Sequence, residues 1–230
     1  MSPADRLLAD LRVVFGPRLI SLVVYGRHAV DESSPQPLHT LAVVDGLGMH
    51  DLEASARLAR SWQAGGLAVP LMVSRHEFAR SLDVFPFEFG AIIDAHRVVF
   101  GSDPFDGLRV RDEDIRRACE VDVKGHLLHL REAYVESFGD PDAIAALVSA
   151  SAAALRTLAI NVARLDGKPT TPTSALASHL SNALGPVHGR TLSGVLGIGE
   201  APAGATDAAR LFPDYLAAAE ALAAYVDSWS

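Results

Sequence analysis

Apolar runs separated by short polar segments dominate the first hundred positions of the chain. Residues 19–25 are almost continuously apolar and rich in valine and isoleucine, which predicts a strand covered on both faces. Shorter apolar runs predict three more strands, at 40–44, at 69–73 and at 95–100. Helical spacing of leucine and valine predicts helices over 3–15 and over 52–64. A helix between the second and third strands indicates a crossover connection, hence an α/β sheet.

The pattern changes near residue 107, where strand-like runs give way to long segments with helical periodicity. These segments predict helices over 112–138, 140–164, 173–184, 190–196 and 207–229, the last interrupted near Pro213. Alanine is abundant after residue 140, which favours closely packed helices. The sequence therefore predicts an α+β fold of two domains, a small mixed β-sheet domain over 1–107 and a C-terminal α-helical bundle over 108–230.

Turn residues define the connection between the first two strands. Gly26 ends the first strand in a tight turn, residues 27–37 form a polar loop, and Asp45-Gly46 closes the second strand. This strand–Gly–loop–strand layout resembles the opening of nucleotidyltransferase domains of the DNA polymerase β type. The resembling stretches are Val23-Val24-Tyr25-Gly26, Thr40–Asp45 and Ala95–Gly101. The helical part is loosely similar to the HEPN-type helical domains that accompany such modules in bacteria.

The resemblance also implies where catalytic residues belong. In that family a serine follows the glycine, and an Asp-x-Asp pair on the second strand holds catalytic magnesium, for which carboxylates are suitable ligands. Here Arg27 occupies the serine position, and Leu38 and Thr40 occupy the two acid positions. Leu38 offers no oxygen and Thr40 only a neutral hydroxyl, and the predicted third strand contains no acid. We therefore expect no catalytic residue, no metal ligand and no resident cofactor.

The missing carboxylates predict a pseudoenzyme, a protein that keeps the fold of an enzyme and binds a nucleotide or a partner protein. The candidate nucleotide contacts are Gly26, Arg27 and Thr40. An active, magnesium-dependent enzyme with relocated acids is the first alternative, and Asp31, Glu32 or Asp45 would supply its carboxylates. Asp31 and Glu32 are adjacent, so on an extended segment they point in opposite directions. Asp45 before Gly46 is typical of a turn. The second alternative is a structural module whose alanine-rich bundle forms a homo-oligomer.

The helical part lacks the signature of its ribonuclease relatives. HEPN-type ribonucleases carry an arginine followed four to six residues later by a histidine, and the separation of Arg117 from His126 is too long. His126, His129 and Glu132 recur every three residues, a spacing that metal sites in bundles use. No second helix carries such residues to complete a metal site. We therefore interpret these three residues as polar residues of a helix surface or of a domain interface.

Charge and composition narrow the classes of partner. The formal net charge is −8, and no run of Lys or Arg forms a basic stripe, which argues against a dedicated nucleic-acid-binding protein. No apolar stretch reaches the roughly 18 residues that a membrane span requires, so we expect no membrane association. Cys119 is the single cysteine, which excludes an internal disulfide. Together with the absence of a signal-peptide pattern, this predicts a cytoplasmic protein.

Overall fold

The chain divides into two compact units with a boundary after Arg111. The structure, a computed structural model, describes residues 2–31, 34–78, 80–198 and 205–229. The first unit contains a four-stranded mixed sheet, and the second consists of helices. The predicted α+β fold, with a small mixed sheet followed by a helical region, is therefore confirmed.

The sheet has the strand order β3–β2–β1–β4. Its strands are β1 (Leu19–Tyr25), β2 (His39–Val44), β3 (Leu71–Ser74) and β4 (His96–Gly101). The central strand β1 is antiparallel to both β2 and β4, whereas β2 and β3 are parallel. A parallel pair requires a crossover, and a helix after β2 supplies it, as the pattern of apolar residues predicted.

The helices of this α/β unit are α1 (Pro3–Phe15), α2 (Arg27–Val30), α3 (Met49–Ala64), α4 (Arg75–Phe78) and α5 (Pro86–Asp94). Helix α1 begins with a capping box, in which the Ser2 hydroxyl accepts from the Asp5 amide and the Asp5 carboxylate accepts from the Ser2 amide. Its apolar stripe packs against the sheet, which fixes the N-terminus of α1 beside the ends of β1 and β4.

Helices cover both faces of the sheet. One face packs against α1 and α3, and we term it the α1 face; its buried residues include Leu7, Leu11, Phe15, Leu22, Val24, Leu38, Ala42, Val44 and Trp62. The opposite face packs against the segment from α4 to Phe105, with the buried residues Val23, Leu41, Val43, Phe78, Phe89, Ile92 and Phe105. Alternation along β2 therefore directs residues 38, 40, 42 and 44 to the α1 face.

The helical unit contains α6 (Asp112–Glu136), α7 (Pro141–Leu165), α8 (Thr173–Leu184), α9 (Pro186–Ile198) and α10 (Ala205–Ser228). Helix α7 contributes buried apolar residues to its core along its whole length, such as Ile144, Leu155 and Leu165. Within the described residues α7 alone meets the length and composition of a membrane span, with a mean hydropathy of 1.8 over its most apolar window. The prediction that no apolar stretch is long enough for a span is therefore wrong for α7, and the same pattern is typical of a central helix in a bundle.

Several predicted element bounds are wrong, for local reasons. Strand β3 begins at Leu71 rather than at residue 69, and Val69 is exposed. Pro86 starts a helix that was not predicted. The helix begins there because proline suits the first turn of a helix. Helix α9 begins at Pro186 rather than at residue 190 for the same reason. Helix α10 continues through Pro213, which was expected to interrupt it.

Candidate functional site

The end of β1 where Gly26 lies is the first part of the candidate site. Gly26 has φ +72°, a left-handed conformation that favours glycine, and its amide donates to the Ala95 carbonyl over 2.9 Å. This turn starts α2 immediately, so part of the predicted loop is helical. Arg27 is the first residue of α2; its side chain is exposed and forms no ion pair with the described residues.

The two acid positions of the resembling family lie on the α1 face. The Leu38 amide donates to the Gly66 carbonyl over 2.9 Å, and its side chain belongs to the hydrophobic cluster beneath α1. Thr40 lies opposite Val24 of β1 and is only 1% exposed. Its hydroxyl oxygen is buried without a hydrogen-bond partner in the part of the chain that the structure describes. Neither side chain can present a charged oxygen to a ligand.

A pocket of about 430 Å³ opens beside Leu38, and we term it the Leu38 pocket. Its walls come from the start of α1, from the loop before β2, from the turn after α3 and from β4. The lining residues are Ser2, Pro3, Ala4, Asp5, His28, Ser34, Pro35, Gln36, Leu38, Gly65, Gly66, Arg97 and Val99. The structure therefore places the first acid position in a cavity, whereas Gly26, Arg27 and Thr40 do not line it.

Three titratable side chains line the Leu38 pocket. Arg97 lies opposite Val24 on β4, so Thr40, Val24 and Arg97 form one row across three strands. His28 is fixed by a contact of 2.7 Å between its Nε2 and the Gln36 carbonyl oxygen. Hydrogen bonds from Ser2, and to a smaller extent the charge of Arg97, lower the pKa of Asp5. Because Asp5 already caps α1, the lining suits an organic ligand with an anionic group better than a divalent cation.

The candidate carboxylates that the structure describes are not arranged as a magnesium site. Among residues 2–31, 34–78, 80–198 and 205–229, no group of three or more His, Cys, Asp or Glu side chains is arranged to hold a metal ion. Asp31 is exposed and directly follows α2, at the Gly26 end of the sheet. Asp45 follows the far end of β2, where its amide donates to the Arg18 carbonyl over 2.9 Å. A strand of six residues spans about 20 Å, so the structure does not bring Asp31 and Asp45 together.

Glu32, the third of the alternative acids, lies outside the described residues.

The two histidines of α6 do not come together in one site. His126 is directed at α10, with its Nε2 2.8 Å from the Tyr215 hydroxyl, whereas His129 is exposed beside Glu132. The histidine spacing along the helix is therefore explained by one buried contact and one surface pair.

An ion pair near Asp45 was missed by the sequence analysis. The guanidinium of Arg18 donates to both oxygens of Asp51, over 2.6 and 2.9 Å. Asp51 also accepts from the amide of Gly48. Gly48 is the N-cap residue of α3, and Asp51 is the third residue of the helix. The Arg18 guanidinium is the main cause that lowers the pKa of Asp51 to about 2. No local pattern pairs residues 33 positions apart, and the contact is structural.

Comparison with known proteins gives a fold and no family. No protein-family model matches the sequence, and no curated protein matches it. Among solved structures, the chain is similar to spectinomycin adenyltransferase AAD(9) from Enterococcus faecialis, solved with ATP and spectinomycin. The TM-score is 0.58 at 11% sequence identity, and the match covers 98% of each chain. The likeness confirms a nucleotidyltransferase-like fold, and at this identity it shows the fold alone.

Proposed function

We propose that this chain is a catalytically degenerate nucleotidyltransferase-fold protein that acts by binding, with a nucleotide as the ligand of the Leu38 pocket. One observation carries the proposal: both acid positions on β2 are buried on the α1 face and neither holds a carboxylate. Metal ions stabilise phosphoryl-transfer transition states by several kcal/mol, and each ~1.4 kcal/mol corresponds to a factor of ten in rate. Without metal ligands the fold retains a pocket but not the chemistry.

The pocket suits a ligand of nucleotide size. Its volume of about 430 Å³ falls within the range of small-molecule sites. Arg97 offers a planar fork that binds phosphate in a bidentate manner, and Arg27 stands exposed at the same end of the sheet. The apolar side chains of Leu38 and Val99 provide a wall for a base or sugar. The fold neighbour named above was solved with ATP, which makes ATP the first nucleotide to test.

Calorimetric titration with ATP, in magnesium and in EDTA, tests this function. We expect saturable binding with an affinity that changes less than about twofold between the two buffers, because no carboxylate pair recruits the metal. Arg97→Gln should weaken binding about tenfold, the loss of one charged phosphate contact. Arg57→Gln removes an equally exposed charge outside the pocket and should leave the affinity unchanged.

A nucleotide-transfer assay with labelled ATP addresses the enzyme alternative. The proposal expects no metal-dependent transfer, and a clear magnesium-dependent product would overturn it. If such transfer occurred, Asp45→Ala would show whether a relocated acid is responsible. The location of Asp45 at the far end of β2 predicts that this variant affects the turn and not the reaction.

A homo-oligomer is the second candidate, because α6 exposes an apolar stripe. Val121, Leu128 and Val135 are 67%, 63% and 73% exposed, and their spacing of seven residues places them on one side of the helix. Light scattering after size exclusion tests whether a second copy covers this stripe. We expect a dimer that Leu128→Glu converts to a monomer, while Val13→Glu on α1 leaves it intact. A monomeric parent chain would exclude this candidate.

The HEPN-like character of the helical unit, a bacterial origin and a cytoplasmic location stay predictions from the sequence.

A further inference from the structure

A second pocket lies entirely within the helical unit, where α7 ends beside α8 and the last turns of α10. Its volume is about 350 Å³, and we term it the Asp166 pocket. The lining residues that matter here are Asp166, Lys168, His179, Asn182, Tyr225 and Trp229. They come from three separate stretches of the chain, so no motif of the sequence points to them.

The hydrogen-bonding capacity of Asp166 is filled by the protein itself. Its carboxylate accepts from His179 Nε2 over 2.8 Å, from the Tyr225 hydroxyl over 2.9 Å and from Trp229 Nε1 over 3.1 Å. The side chains of Asp166 and His179 are each only 11% exposed. Since the two oxygens already take part in four contacts, about the capacity of a carboxylate, Asp166 is not available to a cation.

Polar groups without a protein partner also line this pocket. Lys168 is exposed and forms no ion pair with any described residue, in a protein of formal net charge −8. Asn182 is exposed, and its amide forms no hydrogen bond within the described part of the chain. His179 uses Nε2 for Asp166, which leaves Nδ1 for a ligand. Lys168 is therefore the charged group of the lining that has no protein partner among the described residues, whereas the carboxylate of Asp166 is fully hydrogen-bonded.

The rings of Tyr225 and Trp229 supply the apolar part of the lining. Both rings are held in place by their hydrogen bonds to Asp166, so they lose little conformational freedom when a ligand packs against them. Burial and the neighbouring carboxylate raise the pKa of Tyr225 to about 12. Its hydroxyl therefore stays protonated at neutral pH and adds no negative charge to the pocket.

We propose that the Asp166 pocket binds a small aromatic anion, a single planar ring that carries a phosphate or a carboxylate. The anionic group pairs with Lys168 and hydrogen-bonds to Asn182, and the ring packs against Trp229 and Tyr225. A volume of about 350 Å³ accommodates a ligand of this size. This inference concerns the helical unit and does not depend on the function proposed for the Leu38 pocket.

Trp229 provides a direct readout, because the chain contains only two tryptophans. In Trp62→Phe the fluorescence reports Trp229 alone. The titrants are phenyl phosphate, benzoate, inorganic phosphate and benzyl alcohol, each up to about 10 mM. We expect a saturable change with phenyl phosphate or benzoate, and which of the two binds more tightly identifies the anionic group. Should Trp62→Phe fold poorly, the Trp229 indole N–H resonance of the parent chain serves as the readout.

Two variants with the same change in net charge separate a site from general electrostatics. Lys168→Gln should weaken binding of the aromatic anion about tenfold. Arg210→Gln removes an exposed charge on α10, roughly 20 Å along the helix from Tyr225, and should leave the affinity unchanged. Equal binding of benzyl alcohol or of inorganic phosphate overturns the aromatic anion. The proposal is also overturned if none of the four titrants gives saturable binding, or if Lys168→Gln and Arg210→Gln lose the same amount of affinity.

Discussion

The two units each bury a polar side chain, and they treat it in opposite ways. In the α/β unit the Thr40 hydroxyl is buried among apolar side chains without a partner in the described residues. In the helical unit the side chain of Asp166 is 11% exposed, and three side chains donate to it. An unpaired buried hydroxyl costs about 1–3 kcal/mol, whereas a fully hydrogen-bonded carboxylate can be retained in a core.

The difference shows where each unit can accept a ligand. Thr40 is one of the two positions to which the resemblance assigns a metal ligand, and it is 1% exposed beside the hydrophobic cluster under α1. Asp166 lies beside an open pocket and orders the groups around it. Thr40 thus belongs to the core of its unit, while an arrangement of polar groups without any sequence motif lines a cavity.

Placing an acid at position 40 should have the largest effect. Thr40→Asp places an unpaired carboxylate on the buried α1 face and should destabilise the α/β unit by about 3–5 kcal/mol. Leu38→Asp should cost clearly less, because this residue lines a pocket that water can enter. Urea unfolding, followed by Trp62 fluorescence in a Trp229→Phe background, measures both. Equal stability of Thr40→Asp and its parent would refute the burial of this face.

Removing the carboxylate from the helical unit should have the next largest effect. Asp166→Ala leaves three half-buried donors without their acceptor and should destabilise this unit by about 1–3 kcal/mol. Asp166→Asn keeps part of the acceptor capacity and should cost about half as much. Trp229 fluorescence in the Trp62→Phe background follows the unfolding. Asp227→Ala, which breaks an exposed pair with Lys124, serves as the control and should cost less than about 1 kcal/mol.

Acid should weaken the helical unit before the α/β unit. Burial, with a smaller contribution from His129, lowers the pKa of His126. The unfolded chain therefore binds the proton more readily, so this contribution to stability is complete above about pH 6.5 and decreases as the pH falls below it. Urea unfolding at several pH values measures it, and His126→Gln should remove it. A helical unit whose stability does not change between about pH 7.5 and 5.5 would contradict this assignment.

The α/β unit carries its own acid-sensitive contact at Asp51. Its pKa is lowered to about 2 in the folded protein, from an ordinary value of 3.8. The stabilisation is present above about pH 4 and is lost as the pH falls toward 2, and solvent screening limits it to about 1 kcal/mol. Trp62 fluorescence follows this transition. Asp51→Asn should flatten it, and an unchanged acid profile in that variant would exclude Asp51 as its source.

The sequence was sufficient for those parts of the fold that depend on local periodicity. The continuous apolar run of β1 predicted a strand covered on both faces, and the helix after β2 predicted the parallel crossover. Alternation on β2 also placed residues 38 and 40 on one face. Which face that is, and that α1 covers it, depends on tertiary packing and could not be read from spacing.

The parts that failed involve proline, or contacts between distant residues. Pro86 and Pro186 start helices, whereas no helix was predicted at the first and the second was predicted to begin at residue 190. The lining of the Leu38 pocket combines the start of α1 with residues of β4 about 90 positions later, and Asp166 is joined to Trp229 from 63 positions away. Such contacts follow from the packed fold, and a single sequence shows no local signal for them.

The smallest expected effect is also the sharpest test of the role of Thr40. Thr40→Val is nearly isosteric and removes the unpaired hydroxyl, so it should stabilise the α/β unit by about 1 kcal/mol. Thr191→Val is the matched control, because its hydroxyl donates to the Val187 carbonyl and its loss should bring no gain. The affinity for ATP should stay within about twofold of the parent, since this hydroxyl does not line the Leu38 pocket. If binding weakens while stability rises, Thr40 contacts the nucleotide after all, and the α1 face must open to admit it.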